Sequence, residues 1–263
     1  MTKKKLTNAI KNCVENGEKA FVAYIMAGDG GLKKMKKDIL FLQKSGATAI
    51  ELGIPFSDPV ADGPVIQAAG ERALTFGVTL KKVLEAIKTF KEEITVPLII
   101  MTYLNPIIRY GVEAFVEECA NAEISGVIIP DLPMEEDTLL KPALEEKQIA
   151  LVPLVSLTSP KNRITDIIAK AEGFIYAVTV NGTTGVRNEF GDSLTSHLAH
   201  LKTISSVPVL AGFGISTAEQ VQEVGASVDG VIVGSAIVEA LHKEKYEKIE
   251  ALLSAATEPR VLN

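Results

Sequence analysis

The chain has 263 residues, of which 47% are hydrophobic and 23% charged, an ordinary balance for a globular protein with a large core. A net charge of −6 offers no basic face for nucleic acid, although local backbone N–H groups could still hold a phosphate. Two cysteines, Cys13 and Cys119, fall in different predicted helices and read as reduced, buried thiols rather than a disulfide framework.

The basic start, residues 1–5, is not followed by the apolar stretch of a signal peptide. Instead Leu6, Ala9, Ile10, Cys13 and Val14 recur at helical spacing, which predicts an amphipathic helix. No apolar run is long enough to span a bilayer, so a cytoplasmic location is the default expectation. Runs rich in Val, Ile and Ala then predict strands at 20–26, 48–53, 97–102, 126–130, 149–154, 174–178, 208–211 and 229–233. Amphipathic stretches between them predict helices at 32–45, 64–70 with 79–92, 111–123, 135–147, 160–171, 192–204 and 217–226. A last helix is expected through about 235–255. Eight apolar strands, each followed by a helix, imply an α/β protein with a parallel sheet closed into a (β/α)8 barrel. No linker or composition shift divides the chain, so residues 1–263 are expected to form one domain, with the first helix an extra element.

In such barrels the active residues stand at the C-terminal ends of the strands and in the loops that follow. After the second strand come Glu51, Asp58 and Asp62. Period-2 alternation puts Ile50, Leu52 and Ile54 toward the helices and Ala49, Glu51 and Gly53 toward the interior. Glu51 then points into the barrel, where desolvation raises a carboxyl pKa toward neutrality and suits it to acid–base work. The loop 55–64 holds three prolines and two aspartates and should be stiff. Asp62 reads either as a catalyst or as the N-cap and turn residue of the helix beginning at Pro64. Asp58, before Pro59, reads as a turn or surface residue. The three histidines, His197, His200 and His242, lie in helices and not at strand tops, so no metal site is expected.

The last strands end in glycine-rich turns: residues 181–185, residues 212–216 and the pair Gly234-Ser235. Three such turns in succession predict a phosphate site, with the helix after Gly234 offering its N-terminus. The polar, glycine-rich stretch 179–191 suits a lid. Tyr176, near the end of its strand, is either a substrate or Glu51 partner, or an interior aromatic bonded elsewhere.

With these residues in view, the chain resembles the alpha subunit family of tryptophan synthase. The likeness lies in ELGIPFSDPVADGPVIQAAGERAL, MTYLNPI, GVIIPDLPMEE, IYAVTVNGTTG, VLAGFGIS and VIVGSAIV, in that order along the barrel. It implies retro-aldol cleavage of indole-3-glycerol phosphate to indole and glyceraldehyde 3-phosphate. Glu51 would be the acid–base residue, Asp62 the partner of the indole N–H, and Tyr176 a positioning group. Tyr24, Met101, Ile128 and Phe213 would line the indole pocket. Thr184, Gly185, Gly214, Gly234 and Ser235 would bind the substrate, with the glycines and Ser235 against the phosphate. The resemblance implies no cofactor in this chain and a beta subunit partner that carries pyridoxal phosphate, in an alpha2-beta2 heterotetramer. Asp58 would face that partner. Val180 stands where the family pattern leads one to expect a basic lid residue, which implies altered lid closure and coupling. A phosphosugar isomerase or an aldolase on the same fold is the competing enzyme class, but residues 174–180 contain no lysine for a Schiff base. A barrel that only binds or activates a partner is the non-enzymatic alternative.

Overall fold

The computed structural model describes residues 2–156, 158–178, 187–212 and 214–257, with the backbone alone for 187–193. Val180, Thr184, Gly185 and Phe213 therefore lie outside the described residues, as does the 181–185 turn.

The elements follow in chain order. They are α1 (Thr2–Glu15), β1 (Ala20–Met26), α2 (Leu32–Lys44), β2 (Ala49–Gly53), α3 (Pro64–Thr75), α4 (Leu80–Lys88), β3 (Leu98–Met101), α5 (Leu104–Tyr110) and α6 (Val112–Asn121). Then come β4 (Gly126–Ile128), α7 (Lys141–Glu146), β5 (Ala150–Leu151), β6 (Leu154–Ser156), α8 (Lys161–Ala169), β7 (Ile175–Val178) and α9 (Arg187–Ile204). The chain continues through β8 (Val209–Gly212), α10 (Ala218–Gly225), β9 (Gly230–Val233), α11 (Ser235–His242) and α12 (Tyr246–Thr257).

All strand pairs are parallel, in the order β5-β4-β3-β2-β1-β9-β8-β7-β6. The two outer members are pieces of one stretch, joined through Val152 and Pro153. Val152 N–H donates to the Val127 carbonyl at 2.9 Å, and the Pro153 carbonyl accepts from Tyr176 N–H at 3.0 Å. The sheet thus closes on itself through the chain, and the fold is a (β/α)8 barrel. The expected single strand at 149–154 is interrupted because Pro153 has no N–H to donate across the seam to β7.

Alternation along the strands sorts the side chains as the sequence pattern implies. Ile50, Leu52 and Ile54 join the layer between sheet and helices. Ala49, Ile99, Phe174, Tyr176, Leu210 and Ile232 fill the barrel interior. The floor is closed by α1, whose Leu6 and Ile10 are fully buried in that same interior cluster. Leu6 fits because Gly126 and Gly173 carry no side chain: a Cβ on either would lie 3.1 Å from its Cδ2.

Some helices differ from the pattern-based expectation. Residues 134–139 form a 3-10 segment, and only 141–146 are α-helical, with Pro142 in the first turn. The last expected helix is two, broken where Glu244 takes a φ of 54°. An additional helix, α5, tolerates Pro106 in its first turn, where no N–H is needed. Among the described residues no helix is long and apolar enough to cross a membrane.

Candidate active site

Glu51 is fully buried on the interior face of β2, in register with Tyr24 of β1 and Ile99 of β3. Neither carboxylate oxygen has a hydrogen-bond partner among the described residues. Burial first, and the nearby charge of Asp62 second, push its pKa from 4.5 up to about 8. At neutral pH Glu51 therefore holds its proton and can return to that state after losing it.

Asp62 is half-buried in the loop between β2 and α3. It does not cap α3: the N-cap is Gly63, with no side-chain cap bond. The helix-cap alternative is thereby removed. Its carboxyl instead meets the hydroxyl of Tyr103. Burial raises the Asp62 pKa, and the hydrogen bond from Tyr103 opposes that rise. The same hydroxyl oxygen accepts the Ala61 N–H at 2.9 Å, so one side chain from the end of β3 holds the loop at two successive residues. Burial, working with Asp62 and against the Ala61 bond, pushes Tyr103 up to about 12. Farther along α3, Arg72 grips Asp29 with two bonds of 2.8 and 2.6 Å, fixing the helix against the turn after β1.

Tyr24 and Tyr176 repeat one arrangement. Each ring leans over a glycine on the next strand, two residues beyond its register partner: Tyr24 over Gly53 and Tyr176 over Gly212. A Cβ on Gly53 would stand 1.9 Å from the Tyr24 hydroxyl, and one on Gly212 would stand 2.7 Å from that of Tyr176. Only glycine leaves room for either ring to tilt toward the barrel mouth. Burial and the Glu51 charge hold Tyr176 well above the usual phenol range.

These groups border one cavity of about 180 Å³ at the C-terminal end of the barrel. Its walls include Tyr24, Glu51, Asp62, Met101 and Tyr176, with Gly214, Gly234 and Ser235 on the opposite rim. Ile128 is elsewhere: it is fully buried in the interior cluster, in register with Met101, and does not line the cavity. Asp58 is exposed, accepts a bond from the Ser57 hydroxyl and is not among the residues that line the cavity. Ile215 and Ser216, from the 212–216 turn, also line it; sequence reading missed Ala61, Gly63, Ile66 and Ile232 in the walls, and Tyr103 behind Asp62. Ser235 opens α11 with Gly234 as N-cap and no side-chain cap, so free backbone N–H groups face the rim.

A larger cavity of about 380 Å³ lies by the Pro153 seam. Among its charged groups, Lys141 pairs with Asp137 at 3.8 Å, Arg163 pairs with Glu135, and Asp131 accepts the Leu104 N–H at 2.9 Å. The mouth is the better candidate because Glu51, buried and without a partner among the described residues, stands there. Among the described residues no three His, Cys, Asp or Glu side chains gather as a metal site requires. His197 is half-buried, and burial with the neighbouring His200 lowers its pKa.

A closed parallel barrel with a deeply buried acid inside its mouth, a second acid on the loop above and a helix N-terminus across the cavity defines a barrel enzyme of the proton-transfer class. The family described as tryptophan synthase alpha chain matches this sequence over residues 10–262, and the chain belongs to that family. It is 54% identical over 260 residues to the tryptophan synthase alpha chain of Listeria monocytogenes serotype 4a, covering 99% of each chain. It is 52% identical over 246 residues to that of Bacillus cereus, covering 94% of this chain and 95% of the relative. The crystal structure of tryptophan synthase subunit alpha from Legionella pneumophila is similar at a TM-score of 0.85, with 34% identity over 96% of both chains.

Proposed function

We propose that the chain, as one barrel domain, cleaves indole-3-glycerol phosphate to indole and glyceraldehyde 3-phosphate in tryptophan biosynthesis. The observation that carries this is Glu51, fully buried, without a partner among the described residues and with its pKa near 8, on the wall of a cavity that Asp62 also lines. Protonated Glu51 gives its proton to the ring carbon that bears the glycerol chain. Positive charge develops on the ring, and Asp62 offsets it while accepting the indole N–H. Glu51, now a carboxylate, takes the proton of the adjacent glycerol hydroxyl. The carbon–carbon bond breaks, its electron pair restores the indole ring, and the hydroxyl carbon becomes the aldehyde. Glu51 ends protonated, ready for another turnover. Tyr176 positions the substrate, and the phosphate lies against Gly214, Gly234 and Ser235. No step calls on a cofactor in this chain.

The partner in this reading is a tryptophan synthase beta subunit, carrying pyridoxal phosphate, in an alpha2-beta2 assembly in the cytoplasm. Exposed apolar residues on the mouth side support a docking face there. Val60 is 86% exposed beside Asp58, and Ile108 of α5 is 52% exposed. The test is indole release from indole-3-glycerol phosphate with and without a beta subunit. Release in both, faster with the partner, is expected. A chain that binds the substrate and never cleaves it, even with the partner, would support a binding-only role.

A further inference from the structure

Tyr24 carries a hydroxyl at the far end of the ring that walls the cavity. The side chain is 6% exposed, and what remains open faces the cavity. Near its base the ring passes Gly234, where a Cβ would lie 3.6 Å from Cδ1. Its far end stands over Gly53 on β2. Tyr24 therefore crosses from the rim that receives the phosphate to the side that holds the acids. Burial, then the charges of Asp62 and Glu51, raise its pKa well above the phenol range, so it stays a neutral donor. No described group hydrogen-bonds it.

The substrate's chemistry narrows what this donor can meet. Indole-3-glycerol phosphate offers an N–H, which cannot accept, and a phosphate, which lies at the Gly234 end of the ring. The glycerol hydroxyls are the acceptors left for the Gly53 end. We propose that the Tyr24 hydroxyl donates a hydrogen bond to the glycerol hydroxyl oxygen that Glu51 deprotonates, making Tyr24 a substrate-contacting catalytic residue. As Glu51 removes that proton, negative charge builds on the oxygen, and the bond from Tyr24 strengthens. Tyr24 keeps its own proton throughout. The inference rests on the cleavage reading above.

Tyr24→Phe removes one oxygen and keeps the ring. The variant is compared with wild type in turnover of indole-3-glycerol phosphate and in binding of 3-indolylpropyl phosphate, the same frame without the glycerol hydroxyls. The expected result is a fall in kcat/KM of about 10- to 100-fold, mostly in kcat, with binding of the deoxygenated probe unchanged within about 2-fold. Unchanged kcat/KM would overturn the inference. So would equal losses for substrate and probe, which mark a packing role. If wild type shows no cleavage, the cleavage reading fails. Equilibrium binding of uncleaved substrate against probe then still decides whether the Tyr24 hydroxyl meets a glycerol oxygen.

Discussion

Two carboxylates are buried at opposite ends of this barrel, and their surroundings differ in kind. Asp229, at the floor just before β9, is 8% exposed and fully engaged. It accepts the Val209 N–H at 2.8 Å and meets Lys202 at 2.8 Å, while Lys19 closes the same corner through the Val228 carbonyl. Glu51, at the mouth, is more deeply buried and has no such partner among the described residues. A buried acid without a partner costs stability when ionised; a paired one ties elements together. The floor uses its acid to hold β8, β9 and α9 in place. The mouth keeps its acid protonated and available. The contrast matches the general division of labour in such barrels, in which the floor serves stability and the mouth serves chemistry.

That contrast can be broken at either end. The largest effect is expected from Glu51→Gln. Steady-state indole release should fall roughly 100- to 10,000-fold, the range for losing a positioned acid–base group. Stability should move the other way. The folded pKa of Glu51 lies above its unfolded value, so the folded state binds the extra proton between pH 4.5 and about 8, and stability falls as pH rises through that window. The variant lacks this penalty, so its unfolding free energy should gain on wild type by on the order of a few kcal/mol as pH rises from 5 to 8, read as a widening Tm difference. A constant Tm difference across that range would count against a buried, titrating Glu51.

Asp62→Asn comes next. A neutral amide cannot offset the ring cation, and kcat should drop roughly 100- to 1,000-fold, as for other lost electrostatic stabilisers. The fold and phosphate binding should persist, which calorimetry and inorganic phosphate competition would check. At the floor, Asp229→Ala should show the opposite profile. Chemical denaturation should register a loss of about 1–3 kcal/mol, with kcat/KM of the folded enzyme unchanged. A kinetic defect there would blur the mouth–floor distinction. The smallest effect is expected from Tyr103→Phe. Its hydroxyl holds the Asp62 pKa down, so its removal should move the acid limb of the kcat/KM profile to higher pH and leave the alkaline limb, set by Glu51, in place.

The strands were legible because a barrel strand writes its two faces as a period of two. Glu51, Ile50 and Leu52 fall on the sides that alternation requires. The interruption at Pro153 was visible only as a proline within an apolar run, whose meaning depends on which neighbour needs the missing N–H. Asp62 was ambiguous by sequence because helix caps and catalytic acids occupy the same position before a proline; the Gly63 cap and the Tyr103 contact resolve it. Tyr103 itself could not be read, since its bond to Ala61 joins positions 42 apart and no local period records that. The hydroxyl of Tyr24 was hidden for a related reason: its place depends on Gly53 in the neighbouring strand.

Glu51 remains protonated at neutral pH because it is buried and no partner among the described residues compensates. Difference infrared spectroscopy of the carboxyl stretch, wild type against Glu51→Gln across a pH series, reads that state directly. A protonated-acid band that disappears with a midpoint near pH 8 is predicted. A midpoint near the ordinary 4.5 would contradict the account, whatever the activity of the variant.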